Sequence, residues 1–154
     1  MTKTIQTDLT IRPLRAADRL DWRALWTSYL DFYETTISED VYETAFERLL
    51  SGEAGEFNCL LAEVDGTLVG LVHYLFHRHL WSIDDRCYLM DLYVKPDVGG
   101  SGAGRALIET VHRVAKENNI PCTYWMTQDF NYKGRILYDQ VATKTPFIKY
   151  VKND

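Results

Sequence analysis

The sequence predicts a mixed α/β fold, and three observations carry that reading. Two helical patterns precede a strand-rich middle, a two-residue turn joins two apolar strands there, and a glycine-dense loop opens a further helix directly after a strand. In order, the segment LTIRP, around residues 8 to 12, reads as a short strand. Ala17 to Glu34 is predicted helical because Trp22, Trp26, Tyr29, Leu30 and Tyr33 recur on one face. Its aromatic residues read as core before they read as a substrate box. A second helix fits Glu39 to Leu50, closed by Ser51 and Gly52. FNCLLAEV and LVGLVHYLF flank Asp65-Gly66-Thr67 and read as a hairpin.

RCYLMDLYVK, Arg86 to Lys95, is the next strand. The helix after the glycine loop aligns Ala103, Leu107, Ile108, Val111, Val114 and Ala115, and Asn118, Asn119 and Pro121 close it. CTYWMT is predicted as a strand, Asn131 to Gln140 as a short helix, and Ala142 to Val151 as an extended tail around Pro146. The expected order is β-α-α-β-β-β-α-β-α-β in a single domain, residues 1 to 154, with helices on the faces of a mixed sheet.

Composition narrows the function classes. A net charge of −5 argues against a large nucleic-acid footprint and is compatible with a cationic substrate. The N-terminal stretch lacks an apolar leader core and no apolar run reaches the length of about 20 residues needed to cross a bilayer, so the expectation is a cytoplasmic chain with no membrane partner. Cys59, Cys87 and Cys122 sit in apolar segments without a C-x-x-C pair and read as free thiols. His73, His77 and His79 invite a metal reading, but residues 73 and 77 of one strand are about 13 Å apart, too far for one ion. No metal is expected.

The loop VGGSGAGRALIETV places four glycines between Gly99 and Gly104. Such a loop offers backbone N–H groups and the positive end of a helix dipole to an anion. A nucleoside-triphosphate loop is disfavoured where the chemistry lies: Arg105 stands in place of the lysine, and Ala106 in place of the magnesium-binding hydroxyl. A dinucleotide loop would need glycine at Arg105 and an early βαβ unit. Neither is present.

With its preceding strand and proline turn, DLYVKPDVGGSGAGRALIETV resembles the coenzyme A pyrophosphate loop of the GNAT acetyltransferase superfamily, which reads Arg or Gln, x, x, Gly, x, Gly or Ala. Gly99 takes the Arg/Gln position, while Gly102 and Gly104 match the glycines. The resemblance implies cofactor binding by Gly99 to Arg105 and by Asn131, with the pyrophosphate on the amides of Gly100, Ser101, Gly102, Ala103 and Gly104 and the helix dipole. NYKGRILY, Asn131 to Tyr138, is similar to the family's N-x-x-A-x-x-L-Y helix. Asn131, Gly134 and Tyr138 share a helical face, and Gly134, at a cost of about 1 kcal/mol against alanine, suggests a close approach. WRALWTSYLDFYE, MDLYV and the segment from Tyr124 to Tyr150 further resemble small fungal acetyltransferases acting on histones and polyamines, and more distantly diamine acetyltransferases.

That resemblance implies an acetyl-CoA-dependent N-acetyltransferase acting on a polyamine, a small amine or a protein lysine, with oligomerisation, a homodimer or larger, through the C-terminal segment. It implies that Leu92, Tyr93 and Val94 lie along the thioester, with the amide near Leu92 polarising its carbonyl, and that Tyr138 protonates the leaving thiolate. The base is open: Met90 stands where diamine acetyltransferases carry a carboxylate, leaving Asp91, for which pairing to Arg86 or His73 is an equal reading. Asp31, Glu34, Glu39, Asp40 and Glu43 could form an acidic mouth or an ordinary solvated face. Gly99 and Met90 motivate an alternative, a coenzyme A binding or regulatory domain without turnover.

Overall fold

The computed structural model describes residues 8–98 and 101–154. Five strands form one sheet in sequential order: β1 (Leu9–Pro13), β2 (Asn58–Val64), β3 (Thr67–His77), β4 (Arg86–Val94) and β5 (Thr123–Tyr124). Four helices cover it: α1 (Arg19–Phe32), α2 (Glu39–Ser51), α3 (Ala103–Glu117) and α4 (Tyr132–Val141). β1 to β4 pair antiparallel, and β5 joins β4 in parallel. The mixed α/β class predicted from the sequence is the one observed.

Local chemistry explains most of the boundaries. Val64 pairs with Thr67 across Asp65 and Gly66, both with positive φ (51° and 81°), the two-residue hairpin geometry that the predicted turn requires. Gly52 in the left-handed region ends α2. A single turn of 3-10 helix, Ala16–Asp18, precedes α1, so the α-helix starts two residues later than its apolar pattern suggested. Arg12 ties this turn to the sheet, bonding both oxygens of Asp18 at 2.8 Å and Glu63 at 2.7 Å.

Two cores result, one on each face. Toward α3 lie Ala62, Val72, Leu89, Leu107, Val111 and their neighbours. Toward α1 and α2 lie Trp22, Leu25, Tyr42, Phe46, Leu61 and Leu71. Gly70 permits close apposition of β3 and β4: a Cβ there would stand 2.8 Å from the Tyr93 carbonyl oxygen.

Two expectations need correction at the C-terminal side. The strand predicted over CTYWMT narrows to Thr123–Tyr124, because only those two residues reach the register of β4. The tail leaves α4 extended at Ala142, but it pairs with no strand among the described residues, so the tenth element of the predicted order does not form within this chain. Extended backbone makes a strand only where a neighbour supplies the ladder. Phe147, Ile148, Tyr150 and Val151 consequently stay exposed.

Candidate active site

The site lies where the parallel pair β4–β5 comes apart. Cys87 pairs with Thr123 and Tyr88 with Tyr124, and among the described residues the two strands share no further pairs. Ligands of sheets with parallel strands collect beyond the carboxyl ends of such strands. On its other edge β4 remains paired with β3 as far as Val94, and the Lys95 N–H donates to the Val69 carbonyl at 2.8 Å. Because antiparallel residues alternate between facing and avoiding the partner strand, Tyr93 turns its N–H toward β3, and Leu92 and Val94 turn theirs into the gap. Of the three predicted strand residues, two therefore present free donors there.

β4 also carries a bulge. His73 pairs with Asp91 and Tyr74 with Leu89, so Met90 is an extra residue without a partner. The insertion reverses the alternation of the strand. Cys87 and Leu89 belong to the core under α3, whereas Asp91 turns to the α1 face with His73. Met90 itself is half exposed and lines the cleft described below.

Asp91 is buried, and of the two pairings considered from the sequence the structure selects His73, whose Nδ1 lies 2.8 Å from Asp91 Oδ2. The Trp26 indole N–H donates to the same oxygen at 3.2 Å, and the Trp22 indole N–H donates to His73 Nε2 at 3.0 Å. An indole nitrogen only donates, so His73 Nε2 is an acceptor, and the ring proton sits on Nδ1, donated to Asp91. The helical pattern assigns Trp22 and Trp26 to the core. Their nitrogens organise a polar cluster inside it.

Beside this cluster opens a narrow cleft lined by Tyr29 of α1 and Tyr33 just after it, Leu89, Met90 and Leu92 of β4, Trp125 and Met126 after β5, and Tyr138 of α4. Its free volume of about 20 Å³ suits one water-sized group. Trp125 packs edge-on to Tyr138 with ring centroids 5.6 Å apart. Burial, and then the neighbouring Tyr33, push the Tyr138 phenol up to about 12. Burial first, then the nearby Asp91 charge, push the Tyr29 phenol far above its ordinary value. A larger polar cleft of about 310 Å³ lies away from these residues, between Arg12, Asp18, Glu63 and Lys95, where Arg12 pairs with Asp18 and Glu63.

At the end of β4 the chain enters the glycine loop. Gly99 and Gly100 lie outside the described residues. Gly102 has φ +80°, a conformation other residues rarely adopt, and leads into α3 without a side-chain cap from its own position. Ser101 Oγ accepts from the Ala103 N–H at 3.3 Å, and the Gly104 and Arg105 amides, one turn too early for an intrahelical carbonyl, remain available to an anion. Gly104 also faces α4: a Cβ on it would lie 3.3 Å from Leu137. Arg105 reaches across to the Gln140 side chain.

Asn131 has a structural task. Its Oδ1 accepts the Gly134 N–H at 3.3 Å and caps α4, while its Nδ2 donates to Thr127 Oγ1 at 2.9 Å. The close approach inferred at Gly134 is this side chain, since a Cβ there would stand 2.6 Å from Asn131 Nδ2. Asp31, Glu34, Asp40 and Glu43 are exposed and Glu39 pairs with Arg23, a solvated face that does not line the cleft. Tyr29 and Tyr33, whose helical spacing reads as core, are cleft wall as well. Trp125 and Met126 escape sequence reasoning altogether, because nothing local marks either of them.

Among the described residues no group of histidine, cysteine and carboxylate side chains could hold a metal ion, and no helix is long and apolar enough to cross a membrane. The profile of the acetyltransferase (GNAT) family matches residues 22–142. The D-amino-acid N-acetyltransferase HPA3 of Saccharomyces cerevisiae is 31% identical over 152 residues, covering 98% of this chain and 94% of that protein. Among solved structures, a ribosomal-protein-alanine N-acetyltransferase from Brucella melitensis biovar Abortus 2308 superposes with a TM-score of 0.75 at 27% identity, covering 96% of this chain and all of the other. An aminoglycoside N-acetyltransferase in complex with CoA has the same fold, with a TM-score of 0.82 at 16% identity over 99% of each chain.

Proposed function

Because the chain belongs to the acetyltransferase (GNAT) family and so moves an acetyl group to an amine, we propose that Leu92, Tyr138 and the amides opening α3 perform that transfer on a small primary amine. The observation that carries the reading is the gap between β4 and β5, which has the start of α3 at one end and the tyrosine cleft at the other. The amides of Ser101 to Arg105, together with Gly99 and Gly100, would hold the pyrophosphate of acetyl-CoA, aided by the helix dipole. Asn131 would act beside them through the shape of the α4 start that it caps.

Bound acetyl-CoA supplies an acyl group activated as a thioester. The Leu92 N–H, unpaired and turned into the gap, is positioned to receive the negative charge that develops on the carbonyl oxygen, with Tyr93 and Val94 forming the wall beside it. Tyr138 holds a proton throughout neutral pH and gives it to the departing sulfur. Against a thiol of about 8.5, a phenol near 12 makes that step uphill by about 5 kcal/mol in isolation. The phenolate recovers this by taking the proton released from the attacking nitrogen as the amide forms, which returns Tyr138 to its starting state.

The neutral cleft wall of phenols, an indole and thioethers favours a single amine over a polyamine chain, whose other charges would find no carboxylate among the lining residues. The acceptor class named for HPA3 puts amino acids first. The test is thiol release from acetyl-CoA with D- and L-amino acids, lysine, spermidine and a histone-tail peptide. Release with amino acids or lysine supports a small-amine acceptor, and release with spermidine or the peptide alone overturns it. Absence of CoA binding by calorimetry overturns the assignment of the glycine loop.

The same family resemblance leads us to infer a homodimer. Phe147, Ile148, Tyr150 and Val151 are apolar and exposed, and would be covered by a second copy. Light scattering should give twice the chain mass of 17.9 kDa. A monomer at micromolar concentration overturns this assembly.

A further inference from the structure

A row of uncharged side chains leads away from the cleft along both strands that border it. On β4 these are Leu92, Met90 and Tyr88, and on the other side Met126 and, in β5, Tyr124. Cys87 belongs to the core under α3, and Thr123 Oγ1 lies 2.9 Å from Nδ1 of His112 in α3. Tyr88 and Tyr124, their chain neighbours, therefore point to the opposite face. There the two rings stack, with centroids 5.0 Å apart and planes at 17°. His77 stands edge-on to Tyr124, its centroid 5.7 Å away. Its Nδ1 lies 2.7 Å from the Arg78 carbonyl oxygen, which can only accept, so Nδ1 carries a proton. In the neutral ring Nε2 then accepts the Tyr124 O–H at 2.7 Å. Tyr124, Met90 and Met126 are all exposed.

From this arrangement, and resting on the acetyl-transfer reading above, we propose that Tyr88 and Tyr124 form a subsite for an aromatic or bulky apolar group carried by the acceptor amine. The acceptor nitrogen meets the acyl carbon beside Leu92. The chain behind it runs over Met90 and Met126, which are both cleft wall, and its far end rests on the tyrosine pair. Two residues of extended strand span about 7 Å and four about 13 Å. Met90 is two residues from Tyr88 and Leu92 is four, so the apolar group belongs about 7–10 Å from the nitrogen. A four-carbon linker supplies that length. Thioethers and ring faces or edges attract an aromatic group. The hydroxyl of Tyr124 is already bonded to His77, and His77 to the backbone, so these rings are fixed before anything binds and lose little freedom when it does. Tyr88 and Tyr124 touch the tail of the acceptor and take no part in the chemistry, which makes them specificity residues.

Butylamine and 4-phenylbutylamine present the same ammonium and differ by one ring at the far end. In the wild-type protein kcat/KM should be at least about tenfold higher with the phenyl compound. Tyr124→Ala should bring that ratio below about threefold, with kcat/KM for butylamine changed by less than about twofold. Tyr124→Phe, which keeps the ring, should keep the ratio. A merely structural role would lower both amines together, so equal losses in Tyr124→Ala, or an unchanged ratio, overturn the subsite. A second measurement needs no variant. With CoA and 4-phenylbutylamine bound to the wild-type protein, the phenyl protons should show nuclear Overhauser contacts to the ring protons of Tyr88 and Tyr124, and contacts confined to other residues overturn the subsite as well. A wild-type ratio near one, or thiol release with amino acids but with neither amine, overturns the subsite and leaves the transfer standing. Wild-type protein that releases no thiol with these amines, with lysine or with amino acids overturns the small-amine transfer itself, and the subsite with it.

Discussion

The two faces of the sheet are built on different terms. Under α3 the buried residues are mainly aliphatic, with Leu107, Val111 and Ala115 fully enclosed against Ala62, Val72 and Leu89. Under α1 and α2 leucines pack with Trp22, Tyr42 and Phe46, and this core encloses His73 and Asp91 with the nitrogens of Trp22 and Trp26 aimed at them. Hydrophobic burial is non-directional, so the first face needs only volume and close packing. A buried polar cluster must be satisfied atom by atom, and among the described residues no buried side-chain nitrogen or oxygen lacks a partner. The difference teaches what each face demands: the α3 face needs volume, and the α1 face needs every polar atom paired, in a cluster that lies beside the cleft.

The sharpest test acts at the seam between the faces. Tyr138 packs at the edge of the aliphatic core and points into the cleft. Replacing it with phenylalanine should lower kcat by about 10²- to 10⁴-fold with CoA affinity by calorimetry changed less than about twofold, since the lost hydroxyl acts on the leaving sulfur. The next contrast sets one face against the other. Leu107→Ala should lose about 2–5 kcal/mol in denaturant unfolding while keeping its turnover per folded molecule. Trp22→Phe should lose less, about 1–3 kcal/mol for the unpaired His73 nitrogen. Equal losses in the two variants would erase the distinction between the faces.

A smaller effect distinguishes capping from binding. Asn131→Ala should cost about 1 kcal/mol of stability, read from thermal unfolding, and any fall in CoA affinity should be no larger than the disturbance of α4 explains. The alkaline limb is gentler still. Burial raises Tyr74 and Tyr138 to about 12 and Cys87 to about 11, each above its unfolded value. A group raised in this way contributes stability that is complete below its unfolded pKa and lost as pH rises toward the folded one. Unfolding free energy should therefore decline from about pH 9 upward, and Tyr138 should impose no alkaline fall in kcat below about pH 11.

Much of this is readable in the chain. The apolar spacing from Ala103 to Ala115 names the buried face of α3, and Asp65-Gly66 names the hairpin, because both patterns are local and repeat at the period of the element. The glycines at 102 and 104 and the tyrosine at 138 are legible as a motif. Trp125 is not: it belongs to a stretch where the strand has already ended, and its role depends on the ring of Tyr138 in another element. Asn131 reads as a binding residue because its type fits both tasks, and the bond that makes it a cap is visible only in three dimensions.

The sequence by itself determined the four helices, the first four strands and the glycine turn at Gly66, since those depend on neighbours a few residues away. Tertiary structure alone decided the face on which Asp91 lies. One unpaired residue at Met90 reverses the alternation of β4, and that residue is defined only by the register of β3 across from it. The same dependence governs the tail, which finds no ladder among the described residues of its own chain. Strand identity is local, whereas pairing and register belong to the partner.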